Sequence, residues 1–389
     1  MSNLTHAPRG IDPLDGYRPG RSFFFRSPRH TLLAQGVLET LPSCNARDPA
    51  TMLMRMRTTL DRVADDHPRP MLVGAIPFRA DIPARLTVPS AVQWTRSGSV
   101  SPVAGPITPS YSNIEQIPSP HEYKQAVTAA LEELRNGHLE KVMLARSVRL
   151  NNVMGADPGR LLRHLAHDDP DAYVFAVDLL AGRVLIGTSP ELLVRRSGAL
   201  VSARPLAGSA PRHPDPARDT ESGQALLNSD KDLREHAVVV EAVAGGLNPY
   251  CAELTIPDRP ALVKTATMWH LSTQITGRLA SPEISSLHLF AALHPAPAVC
   301  GTPAAEARAL IKRIEKLNRG FYSGAVGWCD VSGDGEWAMT FRCAEVSPSE
   351  TRIYAGADVV ADSTPDGELA ETSAELQTML RALGIDPNP

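Results

Sequence analysis

No part of this 389-residue sequence stays apolar for the roughly 20 residues a membrane-spanning helix needs, so a membrane protein is not expected. Met1 to Gly20 hold Pro, Gly, Asp and Arg rather than the apolar core of a secretion signal, which predicts a flexible start and a cytoplasmic protein. Excess positive charge is lacking as well. With 39 Lys and Arg against 43 Asp and Glu, a net charge of −4 and a pI near 6.3, the chain has no electrostatic basis for gripping nucleic-acid phosphates. Its five cysteines (Cys44, Cys251, Cys300, Cys329, Cys343) are odd in number, widely spaced and without a CxxC pair. This argues against a disulfide framework or a zinc cluster and predicts reduced thiols. What remains is a globular mixture, 43% hydrophobic and 21% charged, able to bury a large core.

Apolar patterning predicts early strands at Phe23 to Phe25 and Thr31 to Val37, a helix from Pro49 to Asp66 and a buried strand from Met71 to Ile76. Residues 97–120, rich in Pro, Ser and Gly, read as an irregular connection between a first portion, 21–118, and a second, 119–385. Ser119-Pro120-His121-Glu122 carries the elements of a capping box and predicts a helix to about Asn136. Strands follow at Glu140 to Leu150, Tyr173 to Val177, Val184 to Gly187, Leu192 to Arg196 and Leu200 to Ala203. Helices are predicted over Asp219 to Ala244, Ile284 to Leu293, Pro303 to Lys316 and Gly367 to Leu383, with strands at Gly324 to Asp330, Glu336 to Glu345 and Thr351 to Tyr354. Runs of strands separated by runs of helices indicate an α+β fold.

Two acidic clusters, Asp232/Glu235/His236 and Glu368/Glu371/Glu375, have the spacing of one helix face each. They are either solvated faces or, if they meet across a cavity, oxygen donors for a hard divalent cation. Lys141 lies on the same side of its strand as Met143 and Ala145, where burial would lower its pKa and make it a base; otherwise its ammonium reaches water. Glu191 follows a turn, Gly187-Thr-Ser-Pro190, that would hold its carboxyl group at a cleft as an acid, or it caps the next segment. Arg342, inside the apolar stretch Trp337 to Ala344, needs an anionic partner, either a ligand or a structural acid. His270 reads as a hydrogen-bonded packing histidine, with a role in a site as the alternative.

These segments, GTSPELL (187–193), PLAGS (205–209), SDKDLREH (229–236), TMWHLST (267–273), HPAPAVCG (294–301), GAVGWCD (324–330), FRCAE (341–345) and YAGAD (354–358), resemble the chorismate-binding family. That family includes anthranilate synthase large subunits and aminodeoxychorismate, salicylate and isochorismate synthases. FFFRSP (23–28) and VGAIPF (73–78) are similar to the isochorismate synthases of siderophore pathways in particular, so the resemblance covers nearly the whole chain. It implies one large α+β domain with stacked central sheets and peripheral helices, in which 119–385 is the catalytic region. It further implies that Glu235 and Glu371 hold Mg2+, that Lys141 activates water and that Glu191 protonates a departing hydroxyl, turning chorismate into isochorismate. Arg342, Tyr354 and Gly356 match positions around the enolpyruvyl carboxylate, Gly208 and Ser209 lie toward the other end, and Ala298, Val299 and Tyr322 shape the pocket. Chorismate is the only partner implied, and a monomer is expected. The alternatives are a salicylate synthase and a diverged relative with an altered substrate or little activity.

Three positions depart from the family pattern. Glu375 stands where a lysine is usual, Asp358 where a glycine follows YAGA, and Leu369 where a tryptophan is usual. A carboxylate in place of an ammonium is expected to repel a dianionic substrate.

Overall fold

The computed structural model describes residues 12–43, 49–65, 67, 69–79, 81–98, 100–101, 111–152, 156–294 and 299–385. Two large antiparallel sheets and a small third one occupy the middle, with eight α-helices around them among the described residues. The larger sheet runs in the order Gly301–Thr302, Lys141–Asn152, Glu350–Val359, Cys343–Val346, Arg183–Ser189, Tyr173–Leu180, Ser22–Arg26, His30–Gln35, Ala91–Arg96, with Tyr111–Ile117 also paired to Lys141–Asn152. The second runs Cys251–Thr255, Ile275–Leu279, Leu200–Arg204, Leu192–Ser197, Gly335–Met339, Ala325–Asp330, Met71–Ile76, Arg85–Val88, Glu39–Thr40. The third comprises Leu206–Pro211, Met268–Ser272 and Ala261–Lys264. The expected α+β architecture with stacked sheets is present, and strands from the N-terminal portion enter both large sheets.

Alternation along the strands explains the stacking. Phe25, Phe175, Leu185 and Met143 from one sheet meet Leu72, Val194, Val326 and Trp337 from the other in a single core. Residues one step away, Phe24, Ile186 and Ile353, face the opposite side and pack under the helices Pro158–Asp168 and Pro365–Ala382. Val142 and Leu144 likewise face the helices Pro120–Arg135 and Ala304–Ile314. The strand Lys141–Asn152 is thus covered on both faces, so Lys141 shares the side of Met143 and is only 1% exposed.

Several boundaries differ from expectation. The capping box at Ser119 and Glu122 is formed, but residues 97–120 include an exposed strand, Tyr111–Ile117, whose mostly polar sequence has no clean alternation. The single helix expected over Asp219 to Ala244 is two, Pro216–Leu227 and Asp230–Leu247, because Ser229 caps the second by accepting from the Asp232 amide. The helix Pro158–Asp168 was not anticipated. The stretch Glu336 to Glu345 is not one strand: Gly335–Met339 and Cys343–Val346 belong to different sheets. Ala298 lies outside the described residues, as does Cys44, while Cys251, Cys300, Cys329 and Cys343 are free thiols. No helix among the described residues is long and apolar enough to cross a membrane.

Candidate active site

The site forms where the chain changes sheets. Arg183–Ser189 and Leu192–Ser197 lie in different large sheets, and the corner between them is Pro190-Glu191. Gly335–Met339 and Cys343–Val346 are joined across the same gap by Thr340-Phe341-Arg342. The two corners lock together, since the Thr188 amide donates to the Arg342 carbonyl (3.2 Å) and the Met339 amide donates to the Glu191 carbonyl (3.2 Å). Arg342 therefore sits at a break with φ of 38°, not at a strand centre, and the earlier placement in one continuous strand is corrected. A left-handed backbone at a bulky residue is sparsely populated and persists where its surroundings over-determine it.

A third corner brings in the acidic helices. Pro205 links Leu200–Arg204 to Leu206–Pro211, and Gly208 has a φ of 78°, open to glycine at no steric cost. The Gly208 amide donates to Glu235 Oε1 (3.1 Å), and the Ser209 hydroxyl donates to Glu371 Oε1 (2.7 Å). One irregular strand segment thus bridges the helices Asp230–Leu247 and Pro365–Ala382, and the two clusters do meet across a cavity. Glu191, Gly208, Ser209, Glu235, Arg342, Gly356, Glu371 and Glu375 all border it, with Asp358 and Phe341. Lys141 stands just behind, its Nζ 2.5 Å from Asp358 Oδ2.

Val299, Tyr322 and Tyr354 are not at the wall. Val299 is buried and its carbonyl accepts from Arg319 Nη1 (2.8 Å), while Tyr322 and Tyr354 stack at 5.5 Å between centroids. Their contribution is to the packing behind Gly356, where an added Cβ would lie 2.7 Å from both the Tyr322 hydroxyl and Met143 Sδ.

The electrostatics separate the acids and bases. Burial raises the Glu191 pKa to about 8 against the opposing pull of Lys141, so this carboxyl group holds a proton near neutral pH. Burial raises Glu235 to about 8, and it raises Glu371 well above the carboxylate range, with Glu368 and Glu235 adding repulsion. Lys141 corrects the expectation from burial alone. Burial does pull its pKa down, but Asp358, Glu235 and Glu191 outweigh this, and the net shift is upward from 10.5. Glu375 keeps a carboxylate oxygen 3.5 Å from the Gly356 amide, in the field of Arg342.

Four further residues position these groups, of which only His236 and His270 were singled out from the sequence. His270, driven to the neutral form by burial and by Arg342, accepts a hydrogen bond from Arg342 Nη2 and orients that guanidinium. His236 spans from the Ala207 carbonyl (3.2 Å) to the Thr273 hydroxyl (2.7 Å) and seats its helix against that strand segment. Arg146 holds the other helix through Thr372 (2.8 Å) and Ser373 (2.6 Å). Arg319, 1% exposed, binds both oxygens of Glu315 and the carbonyls of Met143 and Val299, bracing the strand that carries Lys141.

Comparison with known proteins follows this geometry. The family described as chorismate binding enzyme matches residues 88–384. Isochorismate synthase DhbC of Bacillus subtilis is 44% identical over 397 residues, covering 96% of this chain and 96% of that protein. The vibriobactin-specific isochorismate synthase of Vibrio cholerae is 37% identical over 370 residues, covering 94% and 92%. The solved structure of DhbC from Bacillus anthracis matches with a TM-score of 0.91 at 43% identity, covering 96% of this chain and 99% of that one.

Proposed function

The chain belongs to the chorismate-binding enzyme family, and we propose that it works as an isochorismate synthase, an isomerase that moves a hydroxyl group around the chorismate ring to supply a siderophore or related secondary metabolite. The observation that carries the catalytic reading is the placement of Glu191, 3% exposed and protonated near neutral pH, across one cavity from Glu235 and Glu371, with buried Lys141 behind it.

In the forward direction the amine form of Lys141 takes a proton from water as its oxygen bonds to ring carbon 2, the ring double bonds shift, and the carbon 4 hydroxyl leaves with the proton of Glu191 as a second water. One water enters and one departs, so the net change is isomerisation. Arg342, oriented by His270, binds a substrate carboxylate, and the backbone of Gly208 and Ser209 frames the other end.

Glu235 and Glu371 are suited to Mg2+. Both are oxygen donors withdrawn from water, and the strand segment at Gly208 and Ser209 ties them into one site. Burial and neighbouring carboxylates raise both pKa values, and for Glu235 this outweighs the opposing pull of Lys141 and Lys231. A cation of this kind takes one or two carboxylates and completes its shell with water and substrate. When bound, Mg2+ offsets the charge of the ring carboxylate.

One observation favours a second reading, a diverged relative with an altered substrate or little activity: Asp358 holds Lys141 in its charged form. Incubation with chorismate and Mg2+ followed by liquid chromatography separates the readings. Isochorismate formation that is lost without metal and in Lys141→Ala supports the synthase; salicylate with pyruvate, or no turnover, overturns it.

A further inference from the structure

A cavity of about 570 Å³ opens between an edge of the larger sheet and inner strands of the second, and shares no lining residue with the catalytic cleft. Its volume lies within the roughly 300–1,000 Å³ of small-molecule pockets. On one side is the edge strand Ala91–Arg96, and on the other are Met71, Val88 and Trp328 of the second sheet.

The interior is aromatic. Trp94 and Trp328 meet edge to face with centroids 5.0 Å apart, and His30 packs edge-on against Trp94 at 4.7 Å. Trp328 lines the cavity with its ring, while its indole N–H is buried.

The mouth is cationic. Arg29, Arg69 and Arg96 line it, are exposed, and make no side-chain hydrogen bond or ion pair among the described residues. Arg196 is committed elsewhere, to the carbonyls of Gly198, Ser332 and Pro282. Of the lining acids, Asp330 accepts from the amides of Ser332 and Asp334 in their own turn, and Asp334 accepts from the Gly198 amide. Glu336, behind the lining, is faced by His30 (3.2 Å) and Arg195 (3.9 Å). Arg29, Arg69 and Arg96 therefore leave positive charge at the mouth, above an aromatic floor. A phosphate would use the arginines and leave the indoles idle, and a neutral ring would do the reverse. A ring bearing a carboxylate uses both.

We propose that this cavity is a second ligand site that binds an aromatic carboxylate of single-ring size, with its ring against Trp94 and Trp328 and its carboxylate at the arginine mouth. The full chain is titrated with salicylate, following tryptophan emission and calorimetric heat. Three proteins are compared, the unaltered chain, the double variant Arg29→Gln/Arg96→Gln and Arg342→Gln, with thermal melting of each to confirm folding. The expected result is saturable binding with a Kd below about 1 mM, weakened at least tenfold in the double variant and retained in Arg342→Gln. Inorganic phosphate binding as tightly as salicylate would reduce the site to a surface anion patch and overturn the proposal. Binding lost in Arg342→Gln but kept in the double variant would place the ligand in the catalytic cleft and also overturn it, as would no saturation at all. None of these readouts depends on turnover of chorismate.

Discussion

Asp358→Asn separates the two roles that the structure gives this carboxylate, stabilising a buried ammonium and restraining a base. Asp358 Oδ2 is 2.5 Å from Lys141 Nζ, and the Lys141 side chain is 1% exposed. Removing one member of a buried ion pair costs about 3–5 kcal/mol. Here Glu235 and Glu191 also act on Lys141, and 17% of the Asp358 side chain reaches solvent, so the expected loss is about 1–3 kcal/mol, a fall in melting temperature of a few degrees. Lys141 has its folded-state pKa raised above 10.5. Its pairing therefore stabilises fully below that value and is lost as pH rises through the folded pKa. The deficit of the variant should be constant below about pH 7, shrink as pH passes about 8, where Glu191 and Glu235 ionise and no longer face a charge at position 358, and shrink further in stronger alkali. In the catalytic assay the direction reverses. With Asp358 neutralised, more Lys141 is in the amine form at a given pH, and kcat for isochorismate formation should rise about tenfold, part of the roughly 10²–10⁴ that a positioned base supplies. Product is quantified by chromatography at several chorismate concentrations, so that kcat and KM are read separately. A variant that melts lower as expected yet forms isochorismate no faster would refute the restraint argument.

Three further outcomes are expected. Glu191→Gln, which cannot deliver a proton, should lower kcat by about 10²–10⁴ with little change in KM, and activity of the unaltered enzyme should decline above about pH 8 as Glu191 ionises; pH profiles of both proteins check this. Chelation should lower the melting temperature, because a ligand that binds only the folded state at 100 times its Kd stabilises it by about 2.7 kcal/mol; Glu371→Gln should abolish the melting response to added Mg2+, whether or not turnover is detectable. Arg319→Met leaves the Glu315 carboxylate buried and frees the carbonyls of Met143 and Val299, a loss of about 3–5 kcal/mol to be read by denaturant titration.

The parts of this protein that were legible in its sequence are those determined by local spacing. The capping box at Ser119 and Glu122 formed, and the i, i+3, i+4 acids at Glu235 and Glu371 occupy helix faces that meet at the cavity. The break before Ser229 also had a local signal, since Asn228-Ser229-Asp230 is a run of good capping residues. The sheet switch at Arg342 had none: both flanking halves are strands, and only their partners reveal that they lie in different sheets. The same limit explains Lys141. The alternation of its own strand left open whether it is buried or reaches water, and the sign of its pKa shift came from Asp358 on a neighbouring strand far along the chain.

That dependence on partners bears on the departures from the family pattern. Asp358 and Glu375 each lie near a retained cation, Asp358 in contact with Lys141 and Glu375 in the field of Arg342. Burial disfavours the ionised form of Glu375, and Arg342 opposes that effect. Each added carboxylate is therefore partly compensated within the fold, so the main penalty need not fall on folding. It falls on the incoming dianion, which must compete with Glu375 for Arg342 and with Asp358 for Lys141. Such competition raises KM where it weakens ground-state binding and lowers kcat where it holds Lys141 charged. The two substitutions should therefore be distinguishable kinetically, Glu375 acting chiefly on KM and Asp358 chiefly on kcat.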